Sequence, residues 1–218
     1  AWMVELFGYP TGASGVITTG TSTATLLGLS VARQRAGGVN FRAAGNSSLN
    51  LVAYTSSQSH VSVSKAMQLM GLGSNALRSV PVNGDFTMDC MSLAEMMASD
   101  LANGLTPFAV VSVVGSVNTG AIDDLVTINR LCHDAGIWHH VDGAFGALAM
   151  MSKSLKPLLA GITEADSIAF DFHKWVHVSY SAGCLLVRDE AVHRETFASF
   201  PAYLQTQTRG LAAGAPWP

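Results

Sequence analysis

"FAVVSVVGSVNTGAIDDLVTINRLCHDAGIWHHVD", residues 108–142, decides the fold. Its opening run, residues 108–114, is apolar except for one serine. The wider apolar stretch, residues 108–117, is too short for a membrane span, which needs about 20 residues. Bounded by turn residues, it reads as a strand buried on both faces. Residues 123–135 then repeat apolar side chains at helical spacing and stop at Gly136, a helix-ending residue. Residues 137–142, "IWHHVD", return to a strand pattern that ends on a carboxylate. Strand, helix and strand in that order form the crossover unit of a parallel sheet.

The same alternation runs outward in both directions. Residues 21–34 read as a helix after a Gly- and Thr-rich turn, and "LVAYTS" (Leu51–Ser56) as a short strand. Residues 59–72 read as a helix opened by serine and closed by Gly71 and Gly73. "RSVPV", residues 78–82, suits a sheet edge, because Pro81 cannot donate to a ladder. Residues 91–102 form a Met-rich helix, where methionine at helical spacing fills a core. "SIAF" and "AGCLLVRD" supply two later strands. The expectation is an α/β domain with a mainly parallel sheet flanked by helices, its ligands at the carboxyl ends of the strands.

Composition narrows the function. Hydrophobic residues make up 49% of 218 and charged residues 12%, a balance that builds a core. A net charge of -3 gives no basic footprint for nucleic acid. Cys90, Cys132 and Cys184 are scattered and odd in number, which fits a reducing cytoplasm and not a disulfide framework. The sequence starts in mid-pattern with "AWMVELFGYP" and stops at "GLAAGAPWP" without a capping element, so we read it as a partial domain of a longer chain.

Four strand ends could carry chemistry. In "TTGTSTAT", Thr21 and Ser22 open a helix, which suits either phosphate binding or plain N-capping. His60 lies just past the strand Leu51–Ser56 at the start of a helix, where a surface or capping histidine is the plain alternative to a functional one. Asp142 ends its strand and is followed by Gly143, Ala144 and Gly146, which let a flat group approach the backbone. A metal site of His139, His140 and Asp142 is weakened because adjacent strand residues point to opposite faces. His173 and His177 are spaced for a helical zinc pair, but their Trp- and Val-rich segment reads as non-helical. Lys174 stands in the apolar, aromatic run "SIAFDFHKWVHVSY", where a lysine is either snorkelling or chemically used. In apolar surroundings its amine holds a proton less tightly and becomes a usable nucleophile. A phosphate cradle, a ring-stacking histidine, a carboxylate for a ring nitrogen and a Schiff-base lysine are together the protein parts that pyridoxal 5'-phosphate needs.

The stretches "GVITTGTSTATLLGLSVAR", "YTSSQSHVSVSKA", "GSVNTGAIDDL", "WHHVDGAFGA" and "DFHKW" resemble the group II pyridoxal-phosphate decarboxylases, most closely the aromatic L-amino-acid branch. The resemblance covers nearly the whole chain. It implies a fold-type-I transferase-like large domain spanning residues 1–218 and decarboxylation of an L-amino acid, aromatic by preference, to an amine and CO2. It implies that Thr21 and Ser22 contact phosphate, that His60 stacks on the ring and that Asp142 takes the ring nitrogen. Ala144 would lie against the ring, Lys174 would make the Schiff base, and His173 would sit near phosphate or substrate. Two positions depart from the animal aromatic pattern. Val117 and Asn118 replace a threonine turn near the cofactor, and Asp171 stands where an asparagine is often found, an unexpected acid beside a phosphate. The family also implies a homodimer with its active site at the interface, an N-terminal segment before Ala1, and a catalytic loop and small domain beyond Pro218. Three alternatives stay open: another pyridoxal-phosphate lyase or aldehyde synthase, a nucleotide-binding α/β module using the Gly-Thr-Ser turn, and a non-catalytic remnant.

Overall fold

The computed structural model describes residues 1–38, 41–45 and 49–199. Among them, the strands β1 (Ser14–Thr18), β2 (Leu51–Ser56), β3 (Leu77–Val80), β4 (Thr106–Val113), β5 (Trp138–Asp142), β6 (Ser167–Asp171) and β7 (Gly183–Val187) form one sheet. Its order is β1-β7-β6-β5-β4-β2-β3. From β3 through β6 every pairing is parallel. β7 runs antiparallel to β6, and β1 antiparallel to β7. The helices are α1 (Trp2–Leu6), α2 (Thr21–Gly37), α3 (Phe41–Ala44), α4 (Ser62–Leu69), α5 (Cys90–Ala102), α6 (Leu125–Ala135), α7 (Phe172–Trp175) and α8 (Glu190–Phe197). The expected mostly parallel α/β sheet flanked by helices is therefore present.

The central strands are apolar throughout because both faces are covered. On β4, Ala109 and Val111 pack into the core shared with α2 and α4, while Val110 packs into the core shared with α5 and α6. On β7, Leu185 and Val187 face the α2 side, and Cys184 and Leu186 face the opposite side. This period-two division follows from the strand geometry. α2 lies almost directly on the sheet: a Cβ at Gly28 would sit 2.8 Å from His140 Cε1.

Several boundaries differ from the sequence expectation. α6 begins at Leu125, with Asp124 as its cap, accepting from Thr127 N at 3.1 Å. Asp123 is instead buried outside the helix and accepts the N–H groups of Val113 and Met88, each at 2.7 Å. α4 begins at Ser62, later than expected. The segment read as non-helical contains the single helical turn of α7. His177 lies beyond that turn with φ 55, so His173 and His177 do not share a helix face. β1, α1 and α8 are elements that the sequence pattern does not assign. The C-terminal stretch read as a cut end lies outside the described residues.

Candidate active site

The carboxyl ends of the parallel strands converge on one cavity of about 610 Å³. β5 delivers Asp142 and β6 delivers Asp171, each as its last residue. β1 leads into Thr19, Gly20 and the N-terminus of α2, and His60 follows β2. Thr21, Ser22, His60, Asp142, Ala144, Asp171, His173 and Lys174 all line this cavity. These residues come from four stretches of chain, so the topology of the sheet brings them together.

Asp142 is buried, and its Oδ1 accepts the Ala144 N–H at 3.1 Å. Burial pushes its pKa up from the usual carboxylate value, against the pull of the Ala144 N–H and of the nearby Lys174 and His60 side chains, while Asp171 adds to the rise. Asp142 is thus a carboxylate held without a direct cation of its own, suited to a cationic partner.

Lys174 does not stand in apolar surroundings. Its side chain is one-third exposed, and Nζ lies 3.0 Å from Asp171 Oδ2. Asp171 is buried and multiply engaged. Its Oδ1 accepts the Thr21 N–H at 2.7 Å, and its Oδ2 also lies 3.5 Å from His173 Nε2. The His173 ring stacks on Tyr180 at 4.0 Å between centroids, and its Nδ1 meets the backbone of Ala182.

The N-terminus of α2 is not capped by its own serine or threonine. Gly20 is the N-cap residue and has no side chain, so Asp171 supplies the acceptor from across the sheet. The N–H groups of Thr23 and Ala24 turn back to Gly20 O. The Thr21 hydroxyl is buried and has no hydrogen-bond partner among the described residues. A buried hydroxyl left in that state marks a place where an acceptor belongs. Gly183 permits this packing: a Cβ there would lie 2.6 Å from Gly20 Cα and 2.9 Å from Asp171 Oδ1.

His60 is exposed. Its Nδ1 accepts the Ser62 N–H at 3.2 Å, capping the first turn of α4, while the residue lines the cavity. Asn118 is not brought in. It is exposed in the turn that Gly120 N closes onto Ser116 O, and Val117 lines the cavity in its place. His139 and His140 point to opposite faces, as their adjacency requires. His139 meets Ser112 and Asn129, and His140 meets Ser167 and Thr25. Among the described residues, no group of three His, Cys, Asp or Glu side chains is placed to hold a metal ion.

Sequence reasoning missed Tyr180, Ser181 and Phe145 as lining residues. Nothing local marks the first two, because they reach the cavity through the loop between α7 and β7. Beside the cavity runs an apolar groove of about 500 Å³, which shares Gly115 and Phe145 with it. Phe145 and Trp175 meet there edge to face, 5.1 Å between centroids. No helix among the described residues is long and apolar enough to cross a membrane.

Comparison with known proteins agrees with this geometry. The family described as "Pyridoxal-dependent decarboxylase conserved domain" matches residues 1–216. An aromatic-L-amino-acid decarboxylase of Bacillus atrophaeus is 33% identical over 94% of this chain and 41% of its own length. An L-2,4-diaminobutyrate decarboxylase of Acinetobacter baumannii is 34% identical over 88% of this chain and 40% of its own length. The solved structure of Oryza sativa TDC with PLP and tryptamine superposes with a TM-score of 0.84 at 29% identity, covering 95% of this chain and 44% of that one. The chain thus spans about two fifths of the length of these curated relatives. With a fold-type-I sheet, a match over nearly every residue and relatives of this identity, the chain belongs to the pyridoxal-dependent decarboxylase family.

Proposed function

We propose that residues 1–218 are the cofactor-binding large domain of a decarboxylase that uses pyridoxal 5'-phosphate to convert an L-amino acid, by preference aromatic, to its amine and CO2. One observation carries the reading. Lys174, Asp142 and the Thr21 end of α2 line a single cavity in which a buried hydroxyl lacks an acceptor. The residues fit the cofactor in charge as well as in position. A phosphate meets the positive end of α2 and the hydroxyls of Thr21 and Ser22. A ring nitrogen meets the carboxylate of Asp142, which lacks a cation of its own.

Each side chain then has a defined task. Asp142 keeps a proton on the ring nitrogen, and burial sharpens the attraction because water does not screen it. His60 and Ala144 would flank the cofactor's ring. Lys174 would be the amine that holds the cofactor, and its present partner is Asp171. His173, wedged between Tyr180 and Asp171, sets the position of that carboxylate. Pyridoxal phosphate, when bound, supplies a protonated ring that accepts the electron pair left as CO2 departs.

The preference for an aromatic side chain is supported by the groove beside Lys174, where Phe145, Trp175, Ile122 and Leu148 offer apolar surface and, among the described residues, no carboxylate lines it. A homodimer in the cytoplasm is the assembly and setting we propose, in keeping with the family resemblance and the scattered free thiols. The test is product analysis on the full gene product loaded with pyridoxal phosphate. Carboxyl-labelled aromatic L-amino acids should release labelled CO2 and leave an equal amount of amine, faster than L-2,4-diaminobutyrate does. Release of CO2 with an aldehyde, ammonia and hydrogen peroxide in place of the amine, at the expense of dissolved O2, would replace simple decarboxylation with decarboxylation coupled to oxidative deamination. A preference for diaminobutyrate would overturn the aromatic assignment.

A further inference from the structure

Asp171 occupies the position that an anionic ligand of α2 would take. One of its oxygens accepts the Thr21 N–H at 2.7 Å, and the other lies 3.0 Å from Lys174 Nζ and 3.5 Å from His173 Nε2. The carboxylate is buried and closely fitted, with Gly183 leaving room for nothing larger than hydrogen beside it. It reaches across from β6 to a helix that starts 150 residues earlier in the chain. A simple cap would end there. Here the same carboxylate also holds the cavity's lysine. Next to it, the buried Thr21 hydroxyl has no acceptor, an independent sign that an oxygen-bearing ligand belongs at this end of α2.

We propose that Asp171 is an internal competitor for the cofactor's phosphate, so that this chain holds pyridoxal phosphate less tightly than its cradle would otherwise allow. The proposal rests on the cofactor reading above and adds to it a control on cofactor retention. A phosphate carries nearly two negative charges at neutral pH. If Asp171 stays in place, the phosphate meets a buried like charge. If Asp171 withdraws, it gives up a short charge-assisted hydrogen bond and the favourable end of the helix dipole. Either course costs affinity. Asparagine at this position keeps an oxygen for the Thr21 N–H and removes the charge, so the cost disappears.

The experiment compares the full chain with its Asp171→Asn variant. Binding of pyridoxal phosphate, pyridoxal and inorganic phosphate is measured at equilibrium. We expect the variant to bind pyridoxal phosphate about ten-fold tighter or better, with pyridoxal changing by less than about three-fold, the scale of one charge-assisted hydrogen bond. Inorganic phosphate should tighten alongside. A phosphate preference that is unchanged or smaller in the folded variant overturns the proposal. If circular dichroism finds the variant unfolded, the unaltered chain decides: a preference for pyridoxal phosphate over pyridoxal below about a hundred-fold supports competition, and a larger one refutes it. If neither pyridoxal compound binds while inorganic phosphate still binds the variant more tightly, the cofactor reading falls and the competition stands.

Discussion

His140 on β5 and Ser167 on β6 are joined across the sheet, with Nδ1 and Oγ 2.7 Å apart. The Ser167 oxygen also accepts the Trp138 Nε1–H at 2.8 Å. On its other side, His140 Nε2 lies 3.4 Å from Thr25 Oγ1 on α2. The chain of bonds ties α2, β5 and β6 together two residues before Asp142, and it requires a neutral imidazole. His139 is fixed in the same state on the other face: its Nδ1 donates to Asn129 Oδ1 and its Nε2 accepts from Ser112. Asn129 can only accept there, because its own amide donates to Gly161 O.

These two histidines make the fold acid-sensitive. Burial lowers both pKa values to about 3, and the charge of His140 adds to the effect on His139. The unfolded chain takes up two protons below about pH 6.5 that the native chain refuses, so native stability falls as pH falls. The loss is about 1.4 kcal/mol per pH unit for each histidine. Asp123, Asp142 and Asp166 act in the opposite sense, since burial raises their values. Urea unfolding should give a stability lower by roughly 2–4 kcal/mol at pH 5 than at pH 7. Equal stability at the two values would contradict the assignment.

Asp142 reports its own burial. A carboxylate whose value is raised contributes stability at low pH that is lost as pH rises through the raised value. Asp142→Asn should therefore stabilise the chain without cofactor above neutral pH, by about 1 kcal/mol, and lose that advantage in acid. Turnover in the full protein should fall by about a hundred-fold or more, the scale of removing one electrostatic stabiliser. Melts across pH, with and without cofactor, separate the two effects.

The Thr21 hydroxyl gives an unusual prediction, because losing it helps the fold. Thr21→Val removes a buried group with no partner, which should raise stability by about 1 kcal/mol. The same change should weaken pyridoxal phosphate binding by about ten-fold, the worth of a hydrogen bond to a charged group. A merely structural role for Thr21 predicts the reverse, a lower melting temperature and unchanged binding.

Gly183→Ala tests the fit of the cradle. The added methyl would press on the Gly20 backbone at 2.6 Å and on Asp171 at 2.9 Å. A cost of about 1–3 kcal/mol is expected, together with weaker binding of the cofactor. Chemical denaturation and cofactor titration of the variant check both effects.

The central fold was readable because it depends on local pattern. The run at β4, the carboxylate ending β5, and Gly136, which takes φ 67 at the end of α6, declare themselves within a few residues. β1 does not. "SGVIT" is short and half exposed, and only its antiparallel pairing with β7, at the far end of the chain, makes it a strand. α7 was hidden for a related reason: a single turn lacks a helical period to detect. At the site, Lys174, Asp142, His60, Thr21 and Ser22 were legible as residues at strand ends. Asn118 was not placed correctly, since its neighbour Val117 faces the cavity instead. Asp171 stood out as an unexpected acid, but its hold on both Thr21 and Lys174 depends on the spacing of β6 and α2 in three dimensions. Tyr180 stacks on His173 by way of a loop, which leaves no signature in the order of residues.

The central claim is that Lys174 is the cofactor's lysine. The direct measurement is to incubate the full chain with pyridoxal phosphate, reduce with borohydride, digest and locate the modified peptide by mass spectrometry, beside a Lys174→Ala control. The account predicts modification concentrated on Lys174 and lost in the control. Equal labelling of the exposed Lys65, Lys153 and Lys156, in a sample whose circular dichroism is that of a folded α/β protein, would contradict it.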